Sequence, residues 1–110
     1  MTELLTVSGT DLRYLLTAYL FDHGPAVVEE LADALAYHGF RPGGRPSKSI
    51  SDALRWEVSR GRAVRVGRGH YRPGFMTRAI EHRIVGRVRT LHEEAAALST
   101  PKGRDAGLTA

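Results

Sequence analysis

The order of segments in residues 25–73 constrains the fold of this chain more than any other feature. Glycine and proline are the strongest local breakers of regular structure. They divide the stretch into a short apolar segment, a helix over 29–38, a turn over 39–46, a second helix over 47–60 and a hairpin over 61–73. Both helices carry apolar residues at spacings of three and four, the period of an amphipathic helix. We therefore predict helix, turn, helix and hairpin, with the remaining segments as their support.

The predicted helix ends rest on residue types that favour caps. Gly39 ends the first helix, because glycine adopts the left-handed conformation of a C-terminal cap without strain. Ser47 lies where the second helix needs an N-cap, directly after Pro46. The apolar stripe predicted for the second helix consists of Ile50, Ala53, Leu54 and Val58.

The opposite face of the second helix is small, polar and partly basic. At about 100° per residue, it brings together Lys48, Ser51, Asp52, Arg55 and Ser59. Hydrogen-bonding side chains on a helix suit the base edges in the major groove of DNA. We interpret this face as a candidate reading face for DNA.

Residues 61–73 predict a hairpin rich in arginine. Residues 63–66 alternate as in a half-buried strand, the glycines of the tip Gly67-Arg68-Gly69 tolerate positive φ, and Tyr71 is the predicted inward residue. The arginines that project from the hairpin are Arg62, Arg65, Arg68 and Arg72. Guanidinium groups suit phosphates and narrow minor grooves. The alternative is a solvated edge whose charges prevent aggregation, although no acidic residue balances the tip.

These segments resemble the winged helix-turn-helix superfamily, and most of all its linker-histone-type and HARE-type domains. The resemblance lies in an apolar-Glu-Glu-Leu-Ala-x-x-Leu helix (28–35), a Ser-x-x-Ile-x-x-x-Leu helix (47–54) and the hairpin motif Arg-Val-Gly-Arg-Gly-x-Tyr (65–71). It covers about half of the chain, and more if residues 11–22 form the first helix of a three-helix core. The connection over 40–46 is longer than the short turn of many bacterial regulators.

The resemblance implies a fold and a function. The fold is α+β and mainly α, a winged helix-turn-helix with an additional C-terminal helix. The function is binding of double-stranded DNA, with the second helix as reader and the hairpin, or wing, on the backbone or in the minor groove.

The charge distribution agrees with a nucleic-acid partner. Residues 41–89 hold 13 Lys/Arg against 3 Asp/Glu, a balance of +10, whereas residues 1–40 have a balance of −5 and residues 90–110 of −1. Positive charge segregated in this way is an electrostatic footprint for a polyanion. The candidate DNA-binding residues are Arg41, Arg45, Ser47, Lys48, Ser49, Ser51, Asp52, Arg55, Ser59, Arg62, Arg65, Arg68, His70 and Arg72.

A helix predicted over 77–98 has an apolar stripe with two interpretations. The stripe is close to heptad spacing and consists of Ile80, Ile84, Val88, Leu91, Ala95 and Leu98. Either this helix folds back over its own domain, or it pairs with its twin to make a homodimer. The domain over 10–75 offers a limited core to a helix of this length, which favours the dimer.

The remaining segments are assigned by position and composition. Residues 1–9 form an N-terminal arm, which the sequence leaves open as a frayed segment, a short strand or a dimer contact. The DNA-binding domain spans 10–75, the C-terminal helix 76–98, and a disordered tail 99–110. Trp56 lies at the edge of the second helix's apolar stripe, and we expect it to pack against a neighbouring helix, such as the C-terminal one, or against a second subunit.

Several classes of function are disfavoured by what the sequence lacks. It has no cysteine, and none of its five histidines stands at a recognised metal or nucleophile spacing. We therefore expect no enzyme, no catalytic residue, no metal and no cofactor. No apolar run approaches the length of a membrane span, and the acidic N-terminus is unlike a secretory signal. We expect an intracellular chain, cytoplasmic and associated with the nucleoid, with no membrane partner.

Three functions remain open from the sequence. A small dimeric transcriptional regulator would read bases with the second helix. A nucleoid-associated architectural protein would bind DNA with little sequence preference, through phosphate neutralisation. A winged-helix protein-interaction module would bind no DNA, but the +10 segment argues against it. Asp52 within the reading face favours the regulator, because a carboxylate there repels phosphate and is easier to explain beside base edges.

Overall fold

The computed structural model describes residues 3–99, and these form a mainly helical α+β fold. Its four helices are α1 (Gly9–His23), α2 (Val28–Tyr37), α3 (Pro46–Ser59) and α4 (Arg78–Ser99). Its strands are β1 (Leu5–Val7), β2 (Ala26–Val27), β3 (Phe40–Pro42), β4 (Ala63–Gly67) and β5 (His70–Pro73). The predicted helices are therefore present with shifted ends. Most of the predicted tail, residues 100–110, lies outside the described residues.

The helix ends differ from the predicted ones where local geometry prevails over residue type. Arg45, and not Ser47, is the residue that flanks the start of α3, and Pro46 occupies the first turn. Proline fits there because the N–H it lacks would have no partner within the helix. The predicted N-cap role of Ser47 is therefore wrong. The end of α2 is as expected, since Gly39 follows its last turn with a φ of 94°.

Two small sheets connect the helices. β2, β5 and β4 form an antiparallel sheet in that order, in which Tyr71 of β5 lies opposite both Ala26 and Arg65. β1 pairs in parallel with β3, with Leu5 opposite Phe40. The N-terminal arm therefore contains a strand, and the connection predicted as an irregular turn over 39–46 contains its partner.

The hydrophobic core is built around α1. The leucines Leu12, Leu16 and Leu20 on this helix are at most 3% exposed. They belong to one cluster with residues of α2, α3, both sheets and α4. Full burial of each leucine contributes about 1.5–3 kcal/mol, so α1 has the structural role expected for the helix that closes the core.

α4 folds back over its own chain. Three members of its predicted stripe, Ile84, Leu91 and Ala95, are at most 2% exposed, and Val88 packs against the core. Arg87 of α4 also donates two hydrogen bonds to Asp11 of α1, at 3.0 and 3.1 Å, which raises the pKa of the guanidinium. The interpretation in which α4 packs on its own domain accounts for these contacts.

The predicted dimer interface is accordingly reduced to the ends of the stripe. Ile80 is partly buried and Leu98 is 39% exposed, so these two side chains retain accessible surface. The four central residues are occupied within the chain. The homodimer itself stays a prediction.

Candidate nucleic-acid interface

α3 presents a polar outer face and buries the opposite one. Ile50, Ala53, Leu54 and Glu57 are its buried residues. At about 100° per residue, the direction opposite to them belongs to Lys48, Asp52, Arg55 and Ser59, all of which are exposed. Ser47 is exposed at the start of the helix and Ser51 is partly buried at the edge of the face. The exposed face of α3 thus has the composition expected from the sequence.

The charges on this face are paired with one another. The Asp52 carboxylate accepts a hydrogen bond from Lys48 Nζ at 2.8 Å and another from Arg55 Nη1 at 3.3 Å. The hydrogen bond from Lys48, together with the positive charge of both neighbours, holds the pKa of Asp52 below its ordinary value. Two cations and one anion leave the face with a single net positive charge and a fixed arrangement of donors.

Two serines of the candidate set are directed to the backbone. Ser49 Oγ donates to the carbonyl of Gly43 in the loop before α3, and Ser49 is partly buried there. Ser59 Oγ donates to the carbonyl of Trp56 at 2.6 Å. Ser49 therefore lies off the exposed face, whereas Ser59 remains on it with its hydroxyl proton engaged.

The β4–β5 hairpin carries three uncompensated arginines, of which Arg68 lies at the tip. Arg65, Arg68 and Arg72 are exposed, and within residues 3–99 none of them forms an ion pair. Arg72 Nη1 donates only to the adjacent carbonyl of Pro73, at 3.1 Å. Gly69 makes the reversal possible with a φ of 63°.

The inward side of the hairpin is formed by other residues. Tyr71 is 6% exposed, as the sequence predicted, whereas Val66, which lies at a bulge in the ladder between Arg65 and Gly67, is 47% exposed. His70 is partly buried beside Val27 of β2. The hairpin is therefore anchored at its base and open at its tip.

Arg62 does not belong to the exposed set, because Glu57 binds its guanidinium group. Its Nε and Nη2 donate to the Oε1 and Oε2 of Glu57, at 2.7 and 2.9 Å, and its side chain is 15% exposed. These hydrogen bonds raise the pKa of Arg62. A guanidinium held in this way by a buried carboxylate supports the fold and is not free to meet a phosphate.

Glu57 is the residue that the sequence reading missed. It is 0% exposed and also accepts a hydrogen bond from Thr17 Oγ1 of α1 at 2.7 Å, while Arg13 Nε lies 3.6 Å from its Oε2. A buried carboxylate is stable only when partners satisfy it, and here α1 supplies Thr17 and Arg13 while the turn before β4 supplies Arg62. Val58, the predicted apolar position, is 37% exposed because Glu57 occupies the inward direction.

Trp56 borders the exposed polar face of α3 and contacts α1. Its side chain is 44% exposed, and the guanidinium carbons of Arg13 and Arg60 each lie 4.7 Å from its ring centroid. The neighbouring helix is thus α1 and not the C-terminal helix, and the contact is a cation–π interaction more than an apolar one.

The two remaining candidates lie before α3. Arg41 on β3 is exposed, with Nη2 at 3.5 Å from Thr6 Oγ1 of β1. Arg45 is exposed at the residue that precedes α3. Both therefore flank the N-terminal end of the polar face.

Residues 3–99 contain no group of three His, Asp or Glu side chains arranged to hold a metal ion. No helix among these residues is both long and apolar enough to cross a membrane.

No protein-family model, curated protein or solved structure matches the chain. Its function is therefore inferred from its own residues.

Proposed function

We propose that this chain is a DNA-binding protein of winged helix-turn-helix architecture, most simply a small transcriptional regulator. Three helices in succession, followed by an antiparallel hairpin, support this architecture. In it α3 is the reading helix, β4–β5 is the wing and β2 is the third strand of the wing's sheet. The connection between α2 and α3 holds β3 and is longer than a simple turn.

The observation that carries the proposal is the contrast in charge around α3 and the hairpin. Of the three acidic residues in the +10 segment, Glu57 is buried on Arg62, Asp52 is bound by Lys48 and Arg55, and Glu81 lies on α4. No carboxylate among residues 3–99 pairs with the arginines of the hairpin tip. The hairpin is anchored at its base and carries free guanidinium groups beside the polar face of α3. This arrangement is complementary to the phosphates that flank a groove of DNA.

Each group of residues has a distinct role in this proposal. Lys48, Ser51, Asp52 and Arg55 meet base edges in the major groove. Arg65 and Arg68 contact phosphate or enter the minor groove. The exposed Arg41, Arg45, Ser47, Ser59 and Arg72 contribute at the margins, together with the partly buried His70.

Binding without sequence preference is the second candidate, and one observation favours it. Lys48 and Arg55 are both engaged by Asp52, whereas the hairpin arginines Arg65, Arg68 and Arg72 have no ion pair among residues 3–99 and suit the DNA backbone more than bases. An architectural protein of this kind would draw its affinity from counterion release. A DNA-free protein-interaction module is the third possibility.

One titration separates the three. Fluorescence anisotropy of the chain's own upstream DNA and of a random duplex of equal length is measured from about 50 to 300 mM salt. A specificity ratio above about a thousandfold identifies a regulator. Near-equal affinities with a steep common salt slope identify an architectural protein. Absence of binding to both duplexes contradicts the proposal and leaves the protein-interaction module.

Arg55→Ala sharpens the distinction. If Arg55 makes a bidentate contact with a base, its loss should reduce discrimination at particular base pairs by about 1–3 kcal/mol and leave binding to random DNA nearly unchanged. The measurement is anisotropy against the upstream duplex and a set of single-base variants. Equal losses on specific and random DNA would assign Arg55 to the backbone.

A further inference from the structure

A second cationic surface lies beside the reading face, formed by Arg13, Trp56 and Arg60. Both guanidinium carbons are 4.7 Å from the indole centroid, one from α1 and one from the residue that ends α3. Stacking on an aromatic ring orients a guanidinium while leaving the N–H groups at its edge available to acceptors. This Arg–Trp–Arg surface joins two helices at an exposed position.

The charge of this surface is only partly compensated. Arg60 is exposed and makes no ion pair within residues 3–99. Arg13 donates from Nη2 to Thr10 Oγ1 at 2.9 Å, while its buried Nε makes no hydrogen bond and lies 3.6 Å from Glu57. Glu57 is already bound by Arg62 in a bidentate pair. One carboxylate thus serves both Arg13 and Arg62, while Arg60 has no carboxylate partner among residues 3–99, and an anion from outside would balance this positive charge.

The surface is continuous with the polar face of α3. Trp56 stands one turn after Asp52, and both line a groove of about 280 Å³ between α1 and α3, together with Leu12, Arg13 and Ser49. A long anionic partner that lies along α3 reaches this groove without crossing an acidic surface, because Asp52 is already bound by Lys48 and Arg55.

We propose that Arg13 and Arg60, held by Trp56, bind backbone phosphates of double-stranded DNA on the α1 side of the major groove. This inference rests on the proposed function and adds a contact on the side of α3 that faces α1. The DNA is then bound by the Arg–Trp–Arg surface in addition to Arg65 and Arg68 of the hairpin. Two guanidinium groups lie over the indole, so the surface suits phosphate oxygens more than a base stacked on the ring.

Trp56 is itself the reporter, because it is the only tryptophan in the sequence. The full chain is titrated with the upstream duplex and the random duplex, each of about two helical turns, while indole emission and DNA anisotropy are recorded together. We expect the emission to change and to saturate at the same midpoint as the anisotropy.

Arg60→Ala tests the phosphate contact without touching Glu57. Its loss should weaken binding to both duplexes roughly tenfold, as for one charge-assisted hydrogen bond, and should flatten the salt slope by about 0.9. Trp56→Leu removes the aromatic ring that holds the two arginines but leaves the charge unchanged. We expect this variant to weaken binding as well. The matched control is Arg89→Ala, which removes an exposed arginine on α4 that lines a cavity with Phe21 and Asp22 of α1.

The outcomes distinguish this inference from the function on which it rests. Anisotropy that reports binding with unchanged Trp56 emission and an unchanged slope for Arg60→Ala overturns the inference and leaves the DNA-binding proposal intact. Stronger quenching by single-stranded than by duplex DNA also overturns it, in favour of base stacking. No binding by anisotropy overturns both. Thermal melts of each variant confirm that lost binding is not lost folding.

Discussion

Two arginines of the same hairpin, Arg62 and Arg65, serve opposite purposes. Arg62 stands at the base, 15% exposed and bidentate to Glu57, whereas Arg65 is exposed and makes no ion pair among residues 3–99. Both residues are arginines, and they lie three positions apart in the sequence. The difference is the presence of a buried carboxylate within reach, so an arginine's role here is decided by what α3 presents to it.

The contacts of Arg62 also determine how the hairpin is oriented. The Arg62–Glu57 pair ties the first residue of the hairpin to the inner face of α3, and Arg62 N also donates to the Glu57 carbonyl at 3.0 Å. The arginines beyond it are then directed away from the chain. Removing the arginine at the base, Arg62, should therefore lower stability. Removing the exposed arginines beyond it should instead lower DNA affinity.

The largest expected effect follows from Glu57→Gln. This change leaves Arg62 and Arg13 without the charge that compensates them, and breaking a buried ion pair in this way costs roughly 3–5 kcal/mol. Arg65→Ala, the matched surface change, should alter the free energy of unfolding by less than about 0.5 kcal/mol. Urea denaturation measures both.

A double variant shows whether charge is the reason. Glu57→Leu combined with Arg62→Leu replaces the ion pair by apolar contact and should recover much of the stability lost in Glu57→Gln. A loss below about 1 kcal/mol in Glu57→Gln would contradict the structural role assigned to this cluster.

The arginines of the tip give the second largest effect, and it is confined to binding. Arg65→Ala with Arg68→Ala should weaken binding to every DNA sequence and flatten the salt slope by roughly one unit per lost phosphate contact, about two in total. The melting temperature should stay unchanged. Salt-dependent anisotropy is the measurement, with Arg89→Ala as the control for lost charge, and an unchanged slope would remove the hairpin from the interface.

The base of the hairpin depends on backbone contact as well as on charge. Gly74 N donates to the Arg62 carbonyl at 2.8 Å, and a Cβ added at Gly74 would collide with the Gly61 carbonyl oxygen. Gly74→Ala should therefore destabilise the fold by about 1–3 kcal/mol, as for other overpacked positions. In contrast, Gly86 lies within α4 with open space around it.

Gly86→Ala is consequently the control for Gly74→Ala. Alanine in a helix interior is favoured over glycine by about 0.8–1.0 kcal/mol, so this variant should be more stable than the parent. Thermal unfolding gives the melting temperatures of both variants. Equal shifts in melting temperature would mean that a side chain at position 74 meets no steric obstacle.

Local patterns predicted the helices and the exposed face of α3, because apolar period and glycine placement act within a few residues. They missed the burial of Glu57, because a glutamate in a helix is ordinarily a surface residue. Only the fold brings Thr17 and Arg62 close enough to satisfy its carboxylate. They also missed the β1–β3 pair, whose partners are 35 positions apart and only three residues long. Periodicity identified the inner face of α4 but not what covers it.

The last prediction concerns an ionisable residue that is partly buried without the partners that Glu57 has. The rings of His92 on α4 and His38 at the end of α2 lie 5.2 Å apart, edge to face, beside a cavity also lined by Asp22 and His23. Neither imidazole has an ion-pair partner among residues 3–99. Burial, and then the proximity of His38, lower the pKa of His92.

The sign of the pH effect follows from that direction. The unfolded chain takes up a proton near the ordinary histidine pKa of about 6.5, whereas the folded chain does so only at lower pH, so stability is lost as pH falls from 6.5 towards the folded-state pKa. The loss should be small compared with the effect of Glu57→Gln, because the His92 ring is only partly buried. Urea denaturation at pH 7.5 and pH 5.5 measures it. His92→Gln should flatten the pH dependence and the exposed His82→Gln of the same helix should not. An identical slope in the two variants would mean that unpartnered burial at His92 carries no penalty, contrary to the rule inferred from Glu57.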